Sequence, residues 1–521
     1  AARGFAHVGV IQVLEEAGYQ VMTAPDGPSG MKILQAGGRI DLLISDVGLA
    51  FVFLLAGFAV LALLLATGAI FGALFNPFTL PLKVGESSPE LLVSAKARDL
   101  NLVCAGALFQ SGGTSGTSLT ATRLGAASLT GAFAGNGLTL AGGDAPPTRF
   151  IAPRNYVAVD ESGTAEQSSA LLNLLQSQAV AASNLGGLAA ANCIRPSSDA
   201  WLVGGDTSPG RETLLLLTNA TEVDSTVDLE ILGPLGKISA PGLSSISFPA
   251  GKTTVTPISS LSPNLSTFSV HVMVRGGALG MWLQQRTMRS LKVGGVDLIA
   301  PSIDPAATVV IPGIFLRGTA DSEKLISLAG SYSDLRPVLR LSNTTSTPAS
   351  VTAQILGATA STYGTVIQQT VEAGTTIDVP ITGLADGDYY AIINSSQPIR
   401  AAVRFARTKA QANDFAWASA ADAFTAERGI SAPAGSISKL ALVNPNKKVA
   451  HVTLRSSTGS VTVNVGSQGT KSVVVPAGSV IYLSADAPIS ASEVIDVNGS
   501  VAVVSVIDYR NLGGKLAIRV R

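Results

Sequence analysis

The sequence predicts a mainly β protein: tandem immunoglobulin-like β-sandwich repeats after one transmembrane helix, preceded by a short α/β fragment. Three observations support this fold class. Short alternating runs broken by Gly, Pro and Asn fill the chain beyond residue 200, which is typical of sandwiches. One motif recurs three times, as LLLLTN at 214–219, LRLSN at 339–343 and LALVN at 440–444. A continuous apolar segment, 51–75, precedes all three copies.

Each copy of the motif begins a unit with the same internal spacing. The motif ends in Asn219, Asn343 or Asn444, and an apolar pair and then an Ala-Gly turn follow each Asn at similar distances. In the first copy, apolar and acidic residues alternate over 227–231, as in a half-buried strand. Units of this size with six or seven short strands predict immunoglobulin-like sandwiches. We assign the repeats to 198–290, 331–410 and 437–521, with linkers at 291–330 (containing an added strand) and 411–436.

The composition argues against several classes of function. Lys+Arg and Asp+Glu are equal at 35 each, and charged residues are only 13% of the chain. Such a sequence has no basic field for a nucleic acid, so we expect no partner of that class. It also has no CxxC motif, HExxH motif or Cys/His cluster, and we expect neither a metal site nor a cofactor.

The apolar segment 51–75 predicts one transmembrane helix. No charged residue lies between Asp46 and Lys83, and the segment is long enough to cross roughly 30 Å of hydrocarbon. A cleaved signal peptide is the alternative, although its apolar region would be shorter and nearer the N-terminus. The preceding Lys32 and Arg39 favour a cytoplasmic N-terminus. We therefore expect a single-pass protein of the cell membrane, attached through 51–75, with its C-terminal region extracytoplasmic.

Both cysteines, Cys104 and Cys193, follow the apolar segment. A single pair in an exported region predicts one disulfide, with two buried free thiols as the alternative. A bridge requires the two Cα atoms to lie within about 7 Å. It would tie the Gly-, Ala- and Ser-rich β region 76–197 to the first repeat. Within that region only 168–182 shows helical periodicity.

Two fragments before the apolar segment resemble catalytic families. Residues 9–50 resemble the middle of a response-regulator receiver domain and contain the strand DLLISD. The Asp that closes this strand accepts phosphate in that family, which implies Asp46 as a phosphoacceptor. Residues 1–17 resemble the start of patatin-like lipases. Both resemblances end before the catalytic machinery is complete, because the receiver's acidic pair and the Gly-x-Ser-x-Gly elbow are missing from the sequence.

From about residue 100 to residue 521, the chain is similar to an actinobacterial membrane-anchored extracytoplasmic family of unknown function. The similarity depends on VCAGAL at 103–108, on 192–219, which contains WLVGG, and on PAATVVIPGI at 305–314. It implies an exported sandwich protein with a disulfide at the Cys positions, and it implies no activity.

Candidate binding residues are few. Trp201, Trp282 and Trp417 could form an aromatic platform that stacks on sugars, although each also suits a sandwich core. His271 and His451 fall at polar positions of alternating strands, and the sequence points to no catalytic partners for them.

The sequence therefore predicts a non-enzymatic cell-envelope protein that presents tandem β-sandwiches for binding or scaffolding. An envelope glycan or an envelope protein is the expected partner. Two alternatives stay open at this point. One is a membrane-bound signalling protein phosphorylated on Asp46, and the other is a patatin-like lipid hydrolase.

Overall fold

The structure, a computed structural model, describes residues 90–95, 100–112, 120–134, 138–140, 149–152, 154–160, 171–359, 362–409, 412–507 and 514–519. These residues belong to one unit, Ser88–Arg521. The N-terminal fragment 1–50 with Asp46, and the apolar segment 51–75, lie outside them. Within the described ranges, no helix has the length and apolarity needed to cross a bilayer.

The described residues confirm a mainly β protein, and their strands group into four modules. Module I contains β2 Leu100–Cys104, β3 Phe109–Gly112, β4 Thr120–Arg123, β5 Ala127–Ala134, β6 Leu138–Leu140, β7 Arg149–Phe150, β8 Arg154–Asp160, β9 Leu171–Ala181 and β10 Gly186–Asn192. Module II contains β11 Asp199–Val203, β12 Arg211–Thr218, β13 Ser225–Gly233, β14 Gly236–Lys237, β15 Ile246–Phe248, β16 Thr253–Pro257, a 3-10 helix Ile258–Ser260, β17 Ser269–Arg275, β18 Gly280–Arg289 and β19 Lys292–Ile299.

The other two modules follow directly along the chain. Module III contains β20 Ala306–Leu316, helix α1 Thr319–Leu328, a 3-10 helix Gly330–Leu335, β21 Val338–Asn343, β22 Ala349–Gly357, β23 Thr365–Val371, β24 Thr375–Pro380, β25 Gly387–Lys409 and β26 Ala412–Ser419. Module IV contains β27 Arg428–Ser431, β28 Ile437–Val443, β29 Ala450–Ser456, β30 Gly459–Val465, β31 Thr470–Val475, β32 Val480–Ala485, β33 Ser490–Val497 and β34 Ser500–Ser505. Outside the modules, β1 Glu90–Ala95 pairs antiparallel with β35 Gly514–Arg519.

All four modules share one strand order. Eight strand positions can be matched: first (β2, β11, β20, β27), second (β5, β12, β21, β28), third (β6, β13, β22, β29), fourth (β14 with β15, β23, β30), fifth (β7, β16, β24, β31), sixth (β8, β17, the first half of β25, β32), seventh (β9, β18, the second half of β25, β33) and eighth (β10, β19, β26, β34). One sheet runs first–sixth–third–fourth, and the other runs fifth–second–seventh–eighth. In module I the described residues contain no fourth strand. Immunoglobulin domains instead place their first strand beside the second.

Module I is a fourth copy that the sequence motif did not reveal. Its two sheets have the strand orders β2–β8–β6 and β10–β9–β5–β7, which match the other modules at every position except the fourth. The helical periodicity at 168–182 was misleading, because Leu171–Ala181 is the strand β9. The first eight residues of β9 are all buried, and a strand covered on both faces does not need to alternate apolar with polar residues.

The predicted linkers are parts of modules. Residues 291–330 contain β19, β20 and α1, and residues 411–436 contain β26 and β27. Each module therefore begins soon after the preceding one ends. These segments are rich in buried residues, because eighth strands and first strands pack against neighbouring modules as well as their own.

The predicted disulfide between Cys104 and Cys193 is present, with the two Cα atoms 4.2 Å apart. Both residues are fully buried. Next to the bridge, Val103 and Ile194 exchange two backbone hydrogen bonds of 2.8 Å. The bridge joins the first strand of module I to the segment that enters module II, as expected.

The four modules surround a common axis. The eighth strand of each module contacts the eighth strands of the next and the previous module, and the contact between β10 and β34 closes the cycle. A polar side chain joins each neighbouring pair of modules. These contacts are Gln284 with the backbone of Phe109 (I and II), Arg340 with the carbonyls of Gly205, Ser266 and Phe268 (II and III), Arg407 with Asp496 (III and IV), and Asn192 with the carbonyl of Ser505 (IV and I).

The recurring Asn of the sequence motif holds the chain where the second strand ends. Asn444 is fully buried, and its Nδ2 donates to the carbonyls of Lys448 at 2.7 Å, Val465 at 3.1 Å and Gly466 at 3.0 Å. Its Oδ1 accepts from the backbone N–H of Asn446 at 3.0 Å. Asn219 and Asn343 make matching contacts: Oδ1 accepts the backbone N–H two residues ahead, and Nδ2 donates to the carbonyl four residues ahead. Nδ2 of Asn219 also donates to the carbonyl of Phe248, and Nδ2 of Asn343 to that of Val371. The motif therefore has a structural role in each repeat.

We predict that Asn444→Ala lowers the free energy of unfolding by about 3 kcal/mol, because it leaves several backbone groups without partners. Asn464→Ala is the matched control, since Asn464 is an exposed residue of β30 and its loss should cost less than about 0.5 kcal/mol. Chemical denaturation followed by circular dichroism measures both. Equal stability of the two variants would contradict the assigned role.

Candidate functional site

The carboxylate of Asp414 lies where the four modules meet. Its Oδ2 accepts the backbone N–H of Leu188 at 2.9 Å and that of Val501 at 3.0 Å. Its Oδ1 accepts the N–H of Phe415 at 2.9 Å and that of Val296 at 3.3 Å. The four donors lie on β10, β34, β26 and β19. One side chain thus receives a hydrogen bond from the eighth strand of every module.

Two glycines make room for this carboxylate. Gly187 and Gly295 occupy the positions equivalent to Asp414 in modules I and II, each directly before its N–H donor. Their φ angles are +128° and +122°, a region that side chains disfavour. A Cβ at either position would lie 2.4 or 2.6 Å from Oδ1 of Asp414. The same strand position is therefore Gly in modules I and II and Asp in module III.

Burial raises the pKa of Asp414 to about 7, and the four backbone N–H groups act in the opposite direction. A second buried acid, Asp297, lies nearby. It accepts the N–H of Trp417 at 2.7 Å. Burial raises the pKa of Asp297 as well, and the neighbouring charge of Asp414 acts in the same direction.

We predict that Asp414→Asn loosens the centre of the assembly. The amide retains one acceptor oxygen and turns an NH₂ group toward backbone N–H donors, so about two hydrogen bonds are lost. The expected cost is about 3 kcal/mol. Hydrogen exchange should accelerate at the amides of Leu188, Val296 and Val501.

Asp321→Asn is the control for this change, since Asp321 is an exposed residue of α1. It should leave stability and amide exchange as in the wild type. Unchanged exchange at the three amides in Asp414→Asn would show that the carboxylate does not hold the modules together.

The three tryptophans proposed as a sugar platform are core residues. Trp282, Trp417 and Trp201 are only 0%, 2% and 8% exposed. The indole Nε1 of Trp417 donates to Gln285 at 2.7 Å, and Trp201 stacks on His271 with ring centroids 4.3 Å apart. The platform prediction was wrong, because these large rings fill the space between sheets and between modules.

The two histidines within the described part of the chain pair with carboxylates. His271 contacts Asp199 at 2.9 Å, and His451 contacts Asp486 at 2.7 Å. The sequence placed both histidines at polar strand positions, and both pairs lie at the protein surface. No group of three or more His, Cys, Asp or Glu side chains among the described residues is arranged to hold a metal ion.

A buried ion cluster joins modules II and III. Asp334, in the 3-10 helix before β21, contacts Arg211 at 2.6 Å, Arg289 at 2.6 Å and Arg404 at 3.1 Å. Burial by itself would raise the pKa of Asp334, but the three guanidinium groups outweigh it and lower the pKa. The cluster is nearly closed to solvent and therefore acts as a rigid connection.

Module IV contains a buried acid with an incomplete set of partners. Glu493 of β33 is 3% exposed and hydrogen-bonds Ser438. Its Oε1 has no hydrogen-bond partner among the described residues. Burial raises the pKa of Glu493 to about 7.

We predict an unusual dependence of stability on pH. The pKa of Glu493 is higher in the folded protein than its ordinary value of 4.5, so the folded state binds more protons between about pH 4.5 and pH 7. Stability should therefore fall as pH rises through this window, by about 3 kcal/mol for this group. Asp414 should add a change of the same sign.

Thermal unfolding at pH 5 and pH 8 tests this prediction. Glu493→Gln keeps the shape of the side chain and removes its charge, so the variant should lose part of the difference between the two pH values. Glu222→Gln, at an exposed turn, is the control and should retain the full difference. A variant Glu493→Gln with the wild-type pH dependence would contradict the prediction.

One groove opens at the end of module III. It has a volume of about 380 Å³ and is formed by Arg317 after β20, by the described residues Thr359, Thr362 and Tyr363 between β22 and β23, and by the turn before β25. The lining residues are Arg317, Thr359, Thr362, Tyr363, Gly383, Ala385, Asp386, Gly387, Asp388 and Tyr389. No motif in the sequence points to this groove, because its residues come from three separate turns.

Polar groups of the groove are held in place by neighbours. Asp388 contacts Arg317 at 2.5 Å and Lys439 at 3.4 Å. Asp386 accepts the backbone N–H groups of Gly318 at 2.9 Å and Thr319 at 2.8 Å, at the start of α1. These hydrogen bonds outweigh the effect of burial and lower the pKa of Asp386. The groove therefore presents the carboxylates of Asp386 and Asp388 and the guanidinium of Arg317 in fixed positions, and Lys439 contacts Asp388 from beside the groove.

Comparisons with known proteins give a family and no activity. The model of a "Family of unknown function (DUF5719)" matches residues 154–500, more than half of the chain. No curated protein matches the chain. A solved structure described as "Biofilm associated protein - BSP domain" is similar at 10% sequence identity with a TM-score of 0.08, over 65% of this chain and 63% of that one. The chain thus spans less than two thirds of that structure's length.

Proposed function

The chain belongs to the DUF5719 family of unknown function, and we propose that it is a non-enzymatic cell-envelope protein whose four β modules form one rigid binding or scaffolding head. The single observation that carries this proposal is the closed cycle of modules around Asp414. A carboxylate that binds every module fixes their relative positions, as a scaffold requires.

The contacts between modules support a rigid head. Arg340 is 1% exposed, pairs with Asp378 through two hydrogen bonds of 2.7 Å, and also donates to three carbonyls of module II. A buried guanidinium held by five hydrogen bonds fixes the position of module II relative to module III. Preorganised surfaces avoid the ordering cost that flexible surfaces incur on binding. The proposed partner is an envelope glycan or an envelope protein.

Two observations support an extracytoplasmic position of the head. The disulfide between Cys104 and Cys193 is of a kind that persists in oxidising compartments. The sequence before the head contains the apolar segment 51–75, which has the length of a transmembrane helix. In this proposal the segment anchors the head at the outer face of the cell membrane, and the N-terminus lies in the cytoplasm.

We predict that an epitope inserted after Thr458, in the exposed turn between β29 and β30, is digested when intact cells are treated with protease. An epitope placed before residue 51 should be protected in the same cells. Lysed cells provide the control, since both epitopes should then be digested. Protection of the Thr458 epitope on intact cells, with digestion after lysis, would overturn the proposed position.

A further inference from the structure

We propose that the groove at the end of module III binds a neutral, hydroxyl-rich ligand, a short oligosaccharide. This inference rests on the proposed function and specifies the ligand class and the place where it binds. The groove's volume of about 380 Å³ falls at the lower end of the range for small-molecule sites.

The charges of the groove favour a neutral ligand. Asp386 and Asp388 would repel an anion, and Arg317 together with Lys439 already neutralises much of the charge that could attract a cation. A sugar hydroxyl both donates and accepts hydrogen bonds. It can therefore donate to a carboxylate oxygen of the groove and accept from a guanidinium N–H at the same time. Such hydrogen bonds to charged groups are stronger than those between neutral groups.

The aromatic side chain of the groove fits the other face of a sugar. Tyr363 is 87% exposed, although burial of a ring of this size would be favourable. Small or hydroxyl-bearing residues of the groove, such as Thr359, Thr362 and Gly387, accompany Tyr363 and the charged side chains. An exposed ring beside fixed polar groups can pack on the C–H face of a sugar while the hydroxyls reach the carboxylates.

The polar groups of the groove are already positioned. Arg317 is held by Asp388 at 2.5 Å and by the carbonyl of Leu316 at 2.7 Å. Its guanidinium carbon also lies 3.7 Å from the centre of the Phe315 ring. The hydroxyl of Tyr389 donates to the carbonyl of Ala385 at 3.0 Å. Binding would therefore order few side chains, which limits its entropic cost.

Saturation-transfer NMR on the full chain in detergent tests the proposal, with maltohexaose, cellohexaose and linear α-mannohexaose as probes. At least one probe should show transfer and should bind at least tenfold more weakly to Tyr363→Ala. Tyr363→Phe keeps the ring and should bind as the wild type does. Leu235→Ala, which removes an exposed apolar side chain of module II, is the matched control and should also bind normally.

Absence of transfer from all three probes overturns the proposal, and so does equal binding by the wild type and Tyr363→Ala. Circular dichroism of the Tyr363 variants checks that they fold, and the high exposure of the residue makes a folding defect unexpected. If none of the probes binds but the Thr458 epitope is accessible to protease, the oligosaccharide site is ruled out and the proposed cell-envelope function still stands. Protection of that epitope would instead remove the proposed function, whatever the probes show.

Discussion

One buried carboxylate organises this protein. Asp414 accepts a backbone N–H from the eighth strand of each of four modules. Without an acceptor, these four buried donors would each cost about 1–3 kcal/mol. The burial of a charge is itself expensive, and its tendency to raise the pKa of Asp414 shows that the hydrogen bonds compensate only part of that cost. The modules must therefore assemble together around this residue, because no single module provides all four donors.

The neighbouring contacts extend this constraint outward from the axis. Gly187 and Gly295 leave the space that the carboxylate requires. Further out, Arg340 and the cluster around Asp334 join modules II and III with nearly every charged group paired. Buried ion pairs add less stability than their number suggests, because desolvation offsets much of their attraction. Their geometry does fix how the modules are oriented, and the proposed binding or scaffolding head depends on that orientation.

The position of the groove in module III follows from the same architecture. The eighth strands are buried at the axis, so a groove open to solvent forms at the turns that end a sandwich. In module III, the start of α1 lies next to these turns and holds Asp386 through two backbone N–H groups. The start of the helix thus supplies the N–H donors that fix the carboxylate of Asp386 in the groove.

Local features of the sequence were sufficient for the mainly β class and for the recurring Asn. Alternating apolar residues specify strands wherever one face is solvated, and the buried Asn219, Asn343 and Asn444 recur because each holds a turn within a few residues of itself. The disulfide was also predictable, since the sequence contains two cysteines and they can pair in only one way. Those predictions depend on contacts between residues that are close in sequence, or on a pairing that has few alternatives.

Only the tertiary structure decided how the modules are arranged and which residues form the groove of module III. Module I repeats the topology of the others without the motif, because strand order depends on pairing between distant residues and tolerates many sequences. The sequence is compatible with either a surface or a core position for Trp201, Trp282 and Trp417, and the tertiary structure buries all three. Asp414 looks in sequence like one more strand acid. Its role exists only because Leu188, Val296 and Val501, each separated from it by 85 residues or more along the chain, converge on one point, and no local pattern encodes such a convergence.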